Sequence, residues 1–215
     1  MEHVFRERIT TEEQLEVLLP VLGGAPSKLV KDKVIHALDA HGKAFIAKAP
    51  FVAVATADAK GHCDVSPRGD APGFVHVLDD RHLFIPERPG NRRMDTIHNI
   101  IANPHIGLIF IIPGLEETFR VNGKACVTRD PELLKLTAVN GREPLVGIGV
   151  EVEECYMHCA KAFKRSGLWK PDSWLPEGDR PSPAQIIAAH VKGKIELTAD
   201  EVDQMLQESY TKRLY

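Results

Sequence analysis

The chain has 215 residues, with 27 lysines and arginines against 30 aspartates and glutamates and a formal net charge of −3. That length supports one domain with a substantial core, or a main domain with a smaller appendage. The interspersed charges exclude a general pull toward nucleic acid or an anionic membrane, so any anion site must be local.

No apolar run is long enough to cross a bilayer, and the N-terminal stretch lacks the apolar segment of a secretory signal, so a cytoplasmic protein is expected. Four cysteines, Cys63, Cys126, Cys155 and Cys159, are too few for a disulfide scaffold in a chain of this size. Cys155 and Cys159 have the spacing of one helix face and His158 adjoins them. No second compact Cys/His pair completes a zinc site, and no metal is expected.

Residues 1–43 read as an N-terminal helical segment. Thr10 and Glu13 have the spacing of a capping box ahead of Gln14–Leu19. After Gly23, Gly24 and Pro26, an apolar stripe of Leu29, Val30, Val34, Ala37 and Leu38 predicts a helix from Lys28 to Ala40 that stops at Gly42. The period then changes. Phe51–Thr56 and His62–Ser66 read as strands around a turn at Asp58–Gly61, and Phe74–Leu78 with His82–Pro86 as a second pair. Met94, Ile97, Ile100 and Ile101 fit a helix ending before Asn103–Pro104. Ile106–Ile112 is nearly all apolar, which predicts a strand buried on both faces or at a subunit contact.

Thr118–Thr128 reads as a strand whose Asn122–Gly123 is either a hairpin turn or a bulge. Asp130–Pro131 opens a short helix, and Leu145–Glu153 alternates as a strand. A helix over Met157–Arg165, a proline-rich connection from Pro171 to Pro183 and a last helix opened by Thr198 and Glu201 complete the chain. The centre is thus a sheet of about six short strands with interposed helices, closer to a small barrel than to a βαβ repeat.

The chemistry concentrates between Asp64 and Arg93. Asn91, Arg92 and Arg93 stand at a helix start, where the helix dipole disfavours positive charge. A phosphate accepting main-chain N–H groups and guanidinium bonds would resolve the conflict. Pairing of the arginines with Glu87 and Asp95, or plain solvation, would resolve it equally. Arg68 follows a strand in a loop stiffened by Pro67 and opened by Gly69, and Arg88 is confined between Pro86 and Pro89. Glycine-rich nucleotide fingerprints, a G-x-S-x-G elbow and H-E-x-x-H are all lacking, and no acid–base constellation stands out. That pattern suggests that a cofactor carries the reactive group. His158, Lys161 and Arg165 have the spacing of one helix face. With Trp169 they could cover a flat anionic ligand or belong to an ordinary amphipathic helix.

The segments DVSPRGD, PERPGNRR, NP followed by IGLIF, and TFRVNGKA, with the later YMHCAKAFKRSGLW, resemble the pyridoxamine 5'-phosphate oxidase-like FMN-binding proteins. The resemblance is greatest to a bacterial subgroup of FMN-dependent enzymes. It implies a mainly β fold with flanking helices, a split β-barrel of the FMN-binding type. Residues 44–156 would form the barrel core, 1–43 would pack on it, and 157–215 would extend the same domain. It further implies a homodimer with FMN at the interface. Arg68, Arg92 and Arg93 would take the flavin phosphate, and Ser66, Pro67 and Asn91 would line the site. Glu117, Thr118 and Arg120 would approach from the other subunit, and His158, Lys161 and Trp169 would meet substrate or cover the ring.

The vitamin B6 oxidases resemble one another in an arginine–histidine element near the C-terminus, which SYTKRLY does not match. The expectation is therefore an FMN-dependent oxidoreductase acting on some other small molecule. The alternatives are a non-catalytic FMN-binding, storage or sensor protein, a barrel using a deazaflavin or haem, or a structural domain with an empty barrel.

Overall fold

The computed structural model describes residues 4–215. These form two compact units, one ending at Val34 and one running Ile35–Tyr215. In the first, Glu12–Leu18 (α1) and Lys28–Asp32 (α2) are short helices. Thr11 rather than Thr10 caps α1, its hydroxyl accepting from the Gln14 N–H at 3.3 Å, while the Thr10 N–H donates to the Gln14 side chain. The predicted Thr10–Glu13 capping box is thus replaced by a cap at Thr11.

The second unit is built on seven strands: Phe51–Ala57 (β1), Cys63–Gly69 (β2), His76–Val77 (β3), His82–Pro86 (β4), His105–Ile111 (β5), Thr118–Thr128 (β6) and Gly147–His158 (β7). Every pairing is antiparallel, in the order β2-β1-β5-β6-β7-β4-β3. The order is linear and ends at two free edges, so the sheet is open. The expected split barrel is not what this chain forms. Neither edge is suited to closing the ladder: β3 is only two residues long, and β2 carries Pro67, which has no N–H to donate.

The β2–β1–β5–β6 part of the sheet has a regular inner face. Val52, Val54, Leu108, Phe110 and Val121 are fully or almost fully buried, and Leu83, Ile85, Ile148 and Val150 from the β4–β7 side join the same core cluster. Each such aliphatic side chain contributes about 1.5–3 kcal/mol on leaving water. Strand β5 alternates between buried and half-exposed positions, with Ile109 exposed. It is therefore not buried on both faces within one chain. Gly123 sits at a bulge in the β6–β7 ladder, which resolves the Asn122–Gly123 alternative against a hairpin turn.

Asp95–Ala102 (α4) packs its Thr96, Ile97 and Ile100 face inward, and Asn99 donates to the Thr56 hydroxyl of β1 at 3.1 Å. The helix over Lys28–Ala40 does not form. Ile35 instead exchanges main-chain hydrogen bonds with Cys155 of β7, and the Asp39 carboxylate caps a new helix, Ala40–Ile46 (α3), through the Gly42 N–H at 2.7 Å. Gly42 lies inside α3 because a Cβ there would meet the Phe119 ring at 2.7 Å. A packing requirement, not a helix stop, explains the glycine.

Residues 154–166 also depart from the expected helix. Strand β7 runs on to His158, and the helix is only Lys161–Ser166 (α6). Cys155 is therefore a buried strand residue whose thiol is pushed up to about 11, chiefly by burial. It shares no helix face with Cys159, nor does His158 with Lys161 and Arg165. Pro131–Leu136 (α5) and the helix opened by Thr198, Ala199–Lys212 (α8), form with the expected caps. Pro183–Val191 (α7) begins where the stretch read as connection ends. No described helix is long and apolar enough to cross a membrane.

A Cβ at Gly123 would stand 2.0 Å from the Glu151 main-chain oxygen. The neighbour is ladder backbone and cannot rotate away. Gly123→Ala is expected to lower stability by at least the ~1–3 kcal/mol typical of overpacking, measured as the free energy of urea unfolding.

Candidate functional site

Strand β2 alternates, so Asp64, Ser66 and Arg68 share its inner side, toward α4. There they make a continuous polar chain. The Ser66 hydroxyl donates to the Asp64 carboxylate at 2.9 Å and the Thr96 hydroxyl donates to it at 2.7 Å. Arg68 donates to the Thr96 hydroxyl at 3.2 Å and to Glu87 at 3.1 Å. Just beyond β2, Asp70 accepts from Arg88 at 2.8 Å. Both ion pairs are largely desolvated, with side chains 16 and 17% exposed for Arg68–Glu87 and 15 and 4% for Arg88–Asp70.

These pairs link the free edge of β2 to the residues after β4, two stretches that no main-chain ladder joins. Between them opens a cleft of ≈ 820 Å³. Its lining brings together Ser66, Pro67, Arg68, Asn91, Arg92 and Arg93. Five arginines (68, 88, 92, 93 and 142) face four carboxylates there (64, 87, 95 and 143).

The loop from Glu87 to Met94 is strained where it meets α4. Arg92 and Met94 take left-handed backbone conformations, at φ 62° and 61°, that non-glycine residues rarely adopt. Asn91 supports the turn by accepting from the Arg93 N–H at 3.0 Å. Met94 stands at the cap of α4 with no side chain to accept from the first-turn N–H groups. Arg93 pairs with Asp95 at 2.6 Å. Among the described residues Arg92, which is exposed, has no hydrogen bond or ion pair to the protein.

This corner suits a phosphate monoester, which needs open main-chain donors, a guanidinium and access. The uncapped helix start and Arg92 offer these outright, whereas Arg68 and Arg93 would share their charge with Glu87 and Asp95. Of the sequence alternatives, pairing holds for Arg93 and solvation for Arg92.

The remaining candidates lie outside this lining. Thr118 is buried opposite His158 across the β6–β7 ladder. Arg120 lies over the Tyr156 ring, 5.8 Å from its centroid, and donates to Asn122 at 3.1 Å. His158 stacks on Tyr156. Trp169 stacks on Phe163 and donates to the Leu115 carbonyl at 3.0 Å, while Lys164 pairs with Glu116 beside Glu117. Lys161 opens α6.

Asp64, Asp70, Thr96, Arg142 and Tyr215 were not singled out from sequence. Asp64 was accessible through its period-two relation to Ser66 and Arg68. Tyr215 carried no local signal. Its hydroxyl donates to Asp70 at 2.8 Å, and its ring lies 5.9 Å from the Arg88 guanidinium carbon.

A model of the pyridoxamine 5'-phosphate oxidase family matches residues 38–159, more than half of the chain, and the chain belongs to that family. Membership gives it a general flavin-associated role and leaves its substrate open. Among solved structures, HupZ of Group A Streptococcus is 21% identical over 56% of this chain and 93% of its own, with a TM-score of 0.47. A Lactobacillus delbrueckii protein designated a candidate pyridoxamine 5'-phosphate oxidase is 23% identical over 57% of this chain and 99% of its own, at TM-score 0.44. An FMN-binding protein of Syntrophomonas wolfei is 12% identical over 69% and 93%, at TM-score 0.42. The family assignment rests on the matched residues 38–159 and not on these likenesses. No curated protein matches the chain.

Burial alone would push the Asp70 carboxyl up. Hydrogen bonds from Tyr215, the Ala71 N–H and Arg88, with the charge of Arg88, outweigh burial and hold it below its ordinary 3.8. Its stabilising contribution is therefore complete above that ordinary value and is lost as pH falls through the lower folded value. Asp70→Asn is expected to cost roughly 2–4 kcal/mol at neutral pH, since it removes one partner of a desolvated pair. Unfolding followed against pH should show parent and variant converging in strong acid.

Proposed function

We propose that the protein is an FMN-dependent oxidoreductase for a small molecule other than pyridoxamine phosphate, working as a cytoplasmic homodimer. The observation that carries this reading is the unpaired Arg92 beside the uncapped start of α4, at the mouth of a cleft in a chain of this family. Arg92 and the first-turn N–H groups of α4 hold the phosphate. Arg68, kept in place by Glu87 and Thr96, and Arg93, kept by Asp95, add positive charge around it. Ser66, Pro67 and Asn91 form the walls. When bound, FMN supplies the redox centre of the reaction, and the chain's own groups bind it, orient it and exclude water.

The dimer is supported by the outer face of the sheet. Phe51, Val65 and Ile109 are exposed there, and Ala53, Ala55 and Gly107 keep the same face shallow. Arg120, Tyr156 and His158 continue this face along β6 and β7. Apposed to a second copy, Glu117, Thr118 and Arg120 would reach the partner's cleft, and His158, Lys161 and Trp169 would meet substrate or the ring.

Freshly purified protein should absorb in the visible as a flavoprotein and release FMN on denaturation. A colourless protein that takes up no FMN would sink the reading. FMN that binds but is reduced by neither NADH nor NADPH would favour the storage or sensor alternative. Arg92→Ala should weaken FMN binding roughly 10- to 100-fold, as expected for loss of a hydrogen bond between charged groups, read by quenching of flavin fluorescence. Ile109→Glu should yield a monomer by light scattering with poorly retained FMN. A monomer that binds FMN as the parent does would rule out the interface role.

A further inference from the structure

Tyr215 is held in the cleft by three different kinds of contact from three separate parts of the fold. Its hydroxyl donates to Asp70 after β2 at 2.8 Å. The Arg88 guanidinium, from the segment after β4, lies over its ring at 5.9 Å. Its main-chain oxygen accepts from Arg142 at 2.8 Å, and Arg142 is presented by a tight turn in which Asn140 and Gly141 both have positive φ. Asp70 and Arg88 are themselves paired, so hydroxyl, carboxylate and guanidinium form a closed group around one tyrosine. A tyrosine merely lying on a surface would not meet a carboxylate that is 4% exposed. The same residue lines the cleft with Arg92 and Arg93.

We propose that Tyr215 is a latched wall of the cleft, closed by Asp70, Arg88 and Arg142, and that opening of this latch governs how fast a bound ligand leaves. The inference rests on the reading of the cleft as the FMN site. Tyr215 is half-buried and does not belong to the apolar core cluster. Such a wall can open without disturbing the sheet. Closed, it completes the hydrogen bonding of Asp70, whose other oxygen serves Arg88. It also keeps the aromatic ring at the cleft. Ligand affinity then has two separable parts: Arg92 and α4 set the attraction for phosphate, and Tyr215 sets the residence time.

The test measures FMN release from the 215-residue protein after rapid dilution, by recovery of flavin fluorescence. Tyr215→Phe keeps the ring and loses the bond to Asp70, and release should quicken roughly 10-fold. Tyr215→Ala loses the wall and should release faster still, with association unchanged or faster. Hydrogen exchange of residues 208–215 in flavin-free protein gives a readout independent of the ligand. Exchange should rise in Tyr215→Phe, which loses the hydroxyl bond to Asp70 and leaves the Asp70–Arg88 pair in place; exchange unchanged from the parent would show that this bond does not hold the wall. Release at the parent rate from Tyr215→Ala would overturn the latch while leaving the FMN site intact. Parent protein that binds no FMN would overturn both.

Discussion

Two arginine–carboxylate pairs, Arg68–Glu87 and Arg88–Asp70, hold the free edge of β2 beside the chain leaving β4, and the rest of the cleft is arranged around them. The sheet does not close on itself, so at this point its cohesion depends on side chains rather than a main-chain ladder. Both pairs are mostly desolvated, a situation in which losing one partner is far more damaging than the pair is stabilising. They are also specific about distance, which fixes where Pro67, Asn91 and Arg92 stand relative to α4. A ladder at this position would have filled the space that the cleft occupies. The open sheet and the presence of the cleft are thus two consequences of one arrangement.

The charges in the cleft follow a division of labour. Arg68, Arg88 and Arg93 are already answered by carboxylates, and Arg68 is further tied to Thr96 and through it to Asp64 and Ser66. These groups are held in place before any ligand arrives, which limits the reorganisation that binding requires. Arg92 alone of these four projects without a protein partner, on a strained backbone beside a helix start with no cap. The strained φ values and the missing cap both disfavour the chain by itself. A bound anion offsets the missing cap through the N–H groups it satisfies and the positive end of the helix it faces.

Much of this was legible in the sequence because it is local. The strands β1, β4 and β6, helix α4 with its stop at Asn103–Pro104, and the capping box at Thr198 depend on period and capping chemistry within a few residues. The cluster of Arg68, Arg92 and Arg93 was visible because proline and glycine punctuation confines it. What was misread depends on contacts between distant residues. Gly42 looks like a helix stop until Phe119 is seen against it. Ile35 leaves a helical pattern because Cys155 offers a strand to pair with. The strand ending at His158 looked helical because His158, Lys161 and Arg165 happen to have helical spacing. Closure of the sheet could not be judged from strand count, since it depends on what the two edge strands can pair with. Tyr215 reaches Asp70 across most of the chain, and no sequence pattern announces such a contact.

Recognition of a phosphate at the Arg92 corner is the proposal on which the function depends. The most direct measurement compares FMN with riboflavin, which shares the ring and ribityl chain and lacks the phosphate, in equilibrium titrations of the unaltered protein. Two charge-assisted contacts to phosphate predict FMN binding tighter by about 100-fold or more, with the preference shrinking as salt is raised. Equal affinity for the two flavins would contradict the phosphate site and, with it, the functional reading of the cleft.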